Sequence, residues 1–259
     1  MGTYSNIVSS AKPVNAIRTF IGGVAKDITS AWTFVNGVRK QVFPTTEAWT
    51  LVYSKTNGGN YSYSAGWGKY KIVISGGGGS GGASCATHSD YRNWANNGSN
   101  GELVTTYVNV ASGNTLTFSG KVGTGGQSSS ASYTMVNLSL VPSATVGAGG
   151  TGYANGNSGN SGVYQGGSDV SAAAAGAGGG STSLVYSGTT KVAKGGNGGD
   201  CDADEIIPQR YGGKGGSGGV SSGSGASGGT GVFGYKQAAT SGAGTNGYVK
   251  IYKSNIYPA

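Results

Sequence analysis

The sequence predicts an all-β protein: a jelly-roll or sandwich-like framework joined to a packed bundle of polyglycine-II helices, preceded by a small tandem β-hairpin module. Three observations predict it. Glycine fills 54 of 259 positions against only 5 prolines. Each Gly costs a helix about 1 kcal/mol relative to Ala, and collagen would need abundant Pro. Short segments alternate apolar and polar residues, as half-buried strands do. Aromatics reach 10%, including 16 Tyr, which a low-complexity disordered chain lacks.

The N-terminal segment repeats itself. Residues 19–28 recur as residues 33–42, with Gly22-Gly23 in the first unit and Asn36-Gly37 in the second. Both dipeptides tolerate the positive φ values of a type I′ turn, whose twist suits a two-residue hairpin. Phe20, Trp32, Phe34 and Trp49 would give the ribbon an apolar face. A lone hairpin is marginally stable in water, so the units must pack on each other, on the next domain or on another protein. The expected division is a hairpin attachment module over 1–46 and a glycine-rich domain over 47–259.

Beyond Trp49, strand character marks residues 49–54, 69–75, 102–110, 115–118, 133–140, 182–186 and 247–253. Alternation is clearest in Tyr70-Lys71-Ile72-Val73-Ile74 and Tyr248-Val249-Lys250-Ile251-Tyr252. Asn57-Gly58-Gly59 and Ser112-Gly113-Asn114 supply turns. Between the strands lie glycine runs at 76–82, 147–150, 176–180, 195–199 and 212–220. The last has a strict period of three, which places Lys214, Ser217 and Val220 on one face. Three residues per turn is the polyproline II geometry, with no internal hydrogen bonds. Its backbone groups need lateral partners when buried, and glycine lets neighbouring backbones approach closely enough to supply them.

Tyr70-Lys71-Ile72-Val73-Ile74 runs directly into Gly76 to Gly79. Thr115-Leu116-Thr117-Phe118 leads to Val122-Gly123-Thr124-Gly125-Gly126, and Lys191-Val192-Ala193-Lys194 leads to Gly195-Gly196-Asn197-Gly198-Gly199. With Asn246-Gly247-Tyr248-Val249-Lys250-Ile251 as a closing strand, this order of features resembles the glycine-rich domain of phage tail proteins over about residues 47–254. It is distantly similar to the tail-fibre tip adhesins of T-even-like phages, although the N-terminal hairpins differ from the attachment domain of those adhesins. The resemblance implies a virion protein, made in the host cytoplasm, that recognises a host-surface protein or glycan through loops on a glycine-helix scaffold. Its partners would be other virion tail proteins, docked through the N-terminal module. The alternative is a structural virion component (baseplate, collar or decoration protein) with the glycine domain as a rigid spacer. A more remote reading is a free ice- or polysaccharide-binding protein.

The segments between glycine runs carry the expected contact residues: Tyr91, Arg92 and Trp94 near His88, then Tyr164, Arg210, Tyr211, Phe233 and Tyr235. Loops on a rigid base concentrate binding, and large aromatics supply contact area at low entropy cost. Tyr153 is expected among the same end loops. Against this, each aromatic taken alone could simply pack on its loop stem.

No catalytic constellation is expected: there is one His and no nucleophile elbow or paired-carboxylate motif. No cofactor or metal is expected either. Asp200-Cys201-Asp202-Ala203-Asp204-Glu205 alternates carboxylates but lacks the glycine and distant Glu of a Ca²⁺ loop, so it reads as a solvated tip. Cys85 and Cys201 are expected to be unpaired thiols. The net charge is +8, of which +6 falls before residue 72. No basic cluster is dense enough to track phosphates, so nucleic acid is not expected as a partner. Nothing approaches the roughly 18 apolar residues of a membrane span, and no signal peptide is read.

Overall fold

The computed structural model describes residues 17–21, 24–28, 31–35, 38–43, 46–87, 92–166, 169–204, 215–235, 237–256 and 258. They are all-β, with no helix among the described residues. Strands β1 (Ile17–Ile21) and β2 (Val24–Ile28) pair antiparallel and end on the register Ile21↔Val24. Strands β3 (Ala31–Val35) and β4 (Val38–Phe43) repeat the arrangement, ending on Val35↔Val38. Two residues separate the paired ends in each hairpin, Gly22-Gly23 and Asn36-Gly37, and these expected turn residues lie outside the described residues.

The rest of the chain alternates strands with glycine runs. First come β5 (Trp49–Lys55), β6 (Gly59–Ala65), β7 (Gly68–Ser75), β8 (Ala83–Ala86), β9 (Arg92–Ala95), β10 (Leu103–Val110) and β11 (Leu116–Val122). Then come β12 (Ser130–Val136), β13 (Ser139–Thr145), β14 (Ser161–Gly166), β15 (Asp169–Ala174), β16 (Thr182–Tyr186), β17 (Thr189–Ala193) and β18 (Gly195–Gly196). The last are β19 (Cys201–Asp204), β20 (Gly219–Val220), β21 (Val232–Gly234), β22 (Ala238–Thr240) and β23 (Tyr248–Ser254).

Two antiparallel four-stranded sheets, ordered β10-β7-β23-β5 and β17-β16-β11-β6, share one apolar core. Period-two alternation sends Tyr70, Ile72 and Ile74 of β7 and Val249 and Ile251 of β23 inward, to meet Phe118, Val122 and Leu184. Each large side chain buried there contributes about 1.5–3 kcal/mol. The tyrosines keep their hydroxyls paired: Tyr61 donates to the Ser183 carbonyl at 2.9 Å, and Tyr70 to that of Gly66 at 3.0 Å.

The second group of sheets is built from small residues. The sheet β14-β15-β8-β21 packs on one face against β13-β12-β22, through Ala83, Cys85, Ala131, Ala172 and Ala239. On its other face Ala173 and Ala175 meet Cys201 and Ala95 of the ribbon β9-β19. β15 is thus buried on both sides, and alanine on both faces lets three layers stack. Cys85 and Cys201 are buried inside these layers and form no disulfide.

Between the two groups lie the glycine runs. Those at 76–82, 176–180 and 195–199 each connect a strand of one group to a strand of the other, whereas 147–150 lies between β13 and β14 and 215–220 between β19 and β21, all of the second group. The run 76–82 sits at the centre with every residue buried. Its N–H groups donate in three directions in turn. Gly76, Gly79 and Gly82 reach Glu102, Ser99 and Asn96; Gly77 and Ser80 reach Gly180 and Ala177; Gly78 and Gly81 reach Thr245 and Gly242. In each direction one partner step is three residues. Its carbonyls accept from Gly126, Gly196, Gly199 and Gly229 of three further runs. Six neighbours surround one strand. Glycine is required because a Cβ on Gly76, Gly78, Gly79 or Gly81 would lie 2.0 Å from a neighbouring carbonyl oxygen.

The period-three segment 212–220 is described only from residue 215. There Gly215 faces the Gly198 carbonyl, where a Cβ would stand 2.0 Å from the oxygen, while Ser217 is exposed and Val220 half-buried. Lys214 lies outside the described residues.

The expected single strand over 133–140 is corrected. It is two strands, β12 and β13, folded back at Asn137 and Leu138, whose φ values are +50° and +66°. Two successive left-handed residues make a two-residue hairpin turn without glycine, so no turn signal was visible in the sequence.

Candidate functional site

Connectivity sends five chain reversals to one end of the molecule. Strands β8, β12, β14, β19 and β21 each leave the glycine layer or its margin, reverse, and return toward it. The reversals fall between β8 and β9, β12 and β13, β14 and β15, after β19, and between β21 and β22. We call this the distal end. Its sequence-expected residues Tyr91, Arg210 and Tyr211 lie outside the described residues, as does the Arg92 side chain, though Arg92 itself pairs with Asp204 in β9-β19.

Trp94 and Phe233 lie on neighbouring elements, β9 and β21. β9 is fixed to β8 and β21 by a small polar cluster. The Asn93 amide donates to the Gly234 carbonyl at 2.8 Å, Ser84 Oγ donates to the Asp202 carbonyl at 2.7 Å, and Ser84 also bonds Asn93 Oδ1. Alternation then turns Trp94 outward, since Asn93 faces the sheet and Ala95 packs into it. Phe233, register partner of Ser84, stands on the edge strand beside it. Trp94 is 37% exposed, and Phe233 and Tyr235 are each 53% exposed.

Tyr164 sits elsewhere. It lies on β14, the opposite edge of the same sheet, three strand spacings or about 14 Å from β21. Tyr153 is not at this end at all: its N–H donates to the Ser181 carbonyl just before β16, which places it beside the large-core sheets. That corrects its expected grouping with the end loops.

The structure adds residues that the sequence reading passed over. At the β12–β13 turn Leu138 is 94% exposed, and Met135 on β12 is 68% exposed. Met135 shares the inward face of its hairpin with Ala131 and Tyr133, but β12 projects past the layer beneath. A bulky residue at positive φ and almost fully solvated is doubly unfavourable. The missing signal was the turn itself.

The acidic segment makes no metal centre among the described residues. Asp200 instead accepts the Gly215 N–H at 2.7 Å. Burial pushes the Cys85 thiol up to about 11, so it is neutral at ordinary pH.

At the far end Trp49 belongs to β5. Its ring lies 5.7 Å from that of Tyr107, with the Lys69 and Lys71 ammonium groups 5.6 and 5.3 Å from its centroid. Glu47 bridges Lys69 at 3.0 Å. Burial raises the Glu47 pKa, but hydrogen bonds from Ser254 and Lys69 outweigh it and leave the carboxyl below its ordinary value. Side-chain positions of Phe20, Trp32 and Phe34 lie outside what is described.

No protein-family model matches the chain, and no curated protein is detectably similar to it.

Proposed function

We propose that this chain is a phage tail or tail-fibre adhesin. Its distal end contacts a host-surface receptor, and its N-terminal hairpins dock it to other virion proteins. In this reading the glycine runs are polyglycine-II helices within a sandwich-like framework. The three-residue step of their lateral hydrogen bonds supports that assignment, because a three-fold helix points successive N–H groups at three neighbours. The observation that carries the functional reading is the convergence of five chain reversals on one end, where Trp94, Phe233, Tyr235, Met135 and Leu138 are exposed. A rigid base with solvated apolar tips suits recognition better than catalysis.

The test uses position and affinity together. Leu138→Cys supplies an accessible thiol for a gold label, since both native cysteines are buried. Electron microscopy of particles carrying the labelled chain should find gold at the free tip of the tail or fibre. Trp94→Ala with Phe233→Ala should lower adsorption to host cells about thirtyfold, from about 2 kcal/mol of lost anchor contact, while Tm stays within a few degrees. Gold buried among other virion proteins, with adsorption unchanged, would establish the spacer reading instead.

A further inference from the structure

The glycine layer has an open edge with the geometry of a binding site. A groove of about 750 Å³ runs along its flank, floored by Thr124 to Ser128 and walled by 147–151 and 243–246. The hydrogen-bond register explains why it is there.

The floor run donates to the wall at every third residue, Thr124 to Thr151 and Gln127 to Ala148, and toward the centre from Gly126 to Gly78. Its remaining direction belongs to residues 125 and 128. The run 241–247 donates from Gly242 and Thr245 to Thr230 and Ser227, and from Gly244 and Gly247 to Gly126 and Gly123. Its remaining direction belongs to residues 243 and 246. Those two directions meet in the groove. Among the described residues the N–H groups of Ser128, Ala243 and Asn246 donate to nothing, and that of Gly125 is met only by the Asn246 side chain, at 3.1 Å.

Other edges of the layer are finished differently. Asn97 and Asn100 accept the N–H groups of Gly231 and Gly228, each at 2.8 Å, and Asn197 accepts those of Gly218 and Gly219. Asparagine carbonyls thus stand in for the missing neighbour. The groove lacks that closure along most of its length.

We propose that this groove binds an extended glycine-rich segment of another polypeptide, which adds one more run to the layer. The occupant follows from the walls. It must offer carbonyls at three-residue steps to Ser128, Ala243 and Asn246, as only a three-fold extended chain does. It must also carry glycine where it faces the walls, because a Cβ on the equivalent interior runs meets a carbonyl near 2.0 Å. The third position of each turn faces solvent and is unrestricted. At about 3.1 Å per residue, a segment of roughly six residues spans the floor. This is the three-fold counterpart of strand addition at a sheet edge, and it is independent of what the distal end recognises.

The experiment titrates the full ¹⁵N-labelled chain with the peptide acetyl-GGNGGSGGN-amide and, separately, with its counterpart in which every glycine is alanine. The glycine peptide should shift the amide signals of Ser128, Ala243 and Asn246 and slow their hydrogen exchange about tenfold at ten times its Kd. The alanine peptide should leave them unchanged. Ala243→Trp, which projects bulk into the groove from an exposed position, should abolish the effect while the remaining spectrum stays native. No perturbation by the glycine peptide at 10 mM (roughly the weakest affinity, on the order of 3 kcal/mol, that still registers) would overturn the proposal. So would equal perturbation by the alanine peptide, or binding that survives Ala243→Trp.

Discussion

Leu138 holds a φ of +66° with 94% of its surface in solvent. The left-handed region costs a bulky residue about 1 kcal/mol, and no burial offsets it here. Leu138→Gly creates an Asn-Gly turn, the favoured type I′ dipeptide. It should stabilise the protein by about 0.5–1 kcal/mol in urea unfolding, while weakening whatever contact the tip makes. Glycine positions divide by what surrounds them. Gly79→Ala would set a Cβ 2.0 Å from the Asn197 carbonyl oxygen, whereas at Gly66 nothing lies within 4 Å. The first should cost about 3 kcal/mol and the second nothing measurable in the same assay. Cys85 carries a pH dependence. Its folded pKa, pushed up by burial to about 11, exceeds the unfolded value near 8.5. The contribution is therefore complete below about pH 8.5 and falls as pH rises through 11. Burial raises Tyr61 as well, with the same sign at higher pH. Stability measured at pH 8 and pH 10.5 should thus decline more in the native chain than in Cys85→Ala, whose side chain suits the alanine-lined layer. Parallel declines would show that the thiol is not the group responsible.

At the level of elements, legibility followed the strength of the local pattern. β7 and β23 alternate cleanly and were placed within one residue at each end. The glycine runs were visible as composition, and the hairpins β1–β2 and β3–β4 as Gly-Gly and Asn-Gly between β-branched residues. β8 (Ala-Ser-Cys-Ala) and β15 escaped because alanine and serine have low strand propensity; burial on both faces, a tertiary property, makes them strands. β12–β13 was misread because its turn has no glycine. Of the candidate site, the aromatic residues could be picked out by type, but their grouping depends on tertiary packing, which sets the strand of Trp94 beside that of Phe233 and leaves Tyr164 on the opposite edge of the sheet. The asparagines of the glycine layer were also passed over, although Asn97 and Asn100 share the three-residue step of the run they finish. Asn100→Ala leaves the Gly228 N–H without its 2.8 Å partner. That should cost about 1 kcal/mol, and the double change with Asn97→Ala about twice as much. Hydrogen exchange should speed up at Gly228 and Gly231 while the core of β7 is unaffected.

For the whole molecule, the unusual feature is that two cores are joined by a layer containing almost no side chains. The large core gathers Tyr70, Phe118 and Leu184, and the small one gathers alanines and Cys85. By size alone the small core would be the weaker and would melt first. The connectivity argues otherwise. Neither core is a continuous stretch of chain: β7 leads through 76–82 to β8, β15 returns through 175–181 to β16, and β22 through 241–247 to β23. The connecting runs are tied to one another by backbone hydrogen bonds at almost every residue. Opening the distal sheets would strip partners from buried N–H groups in the layer, each costing about 1–3 kcal/mol. The two ends should therefore unfold as one unit. In native-state hydrogen exchange, Ile72 of the large core and Ala172 of the small one should open with the same free energy. Gly79→Ala, which lies in the layer between them, should lower both by the same amount. Calorimetry of residues 47–259 should give one transition with equal calorimetric and van't Hoff enthalpies. Separate transitions, or exchange at Ala172 that accelerates while Ile72 stays protected, would mean that the glycine layer acts as a hinge between independent ends and not as the element that makes them one.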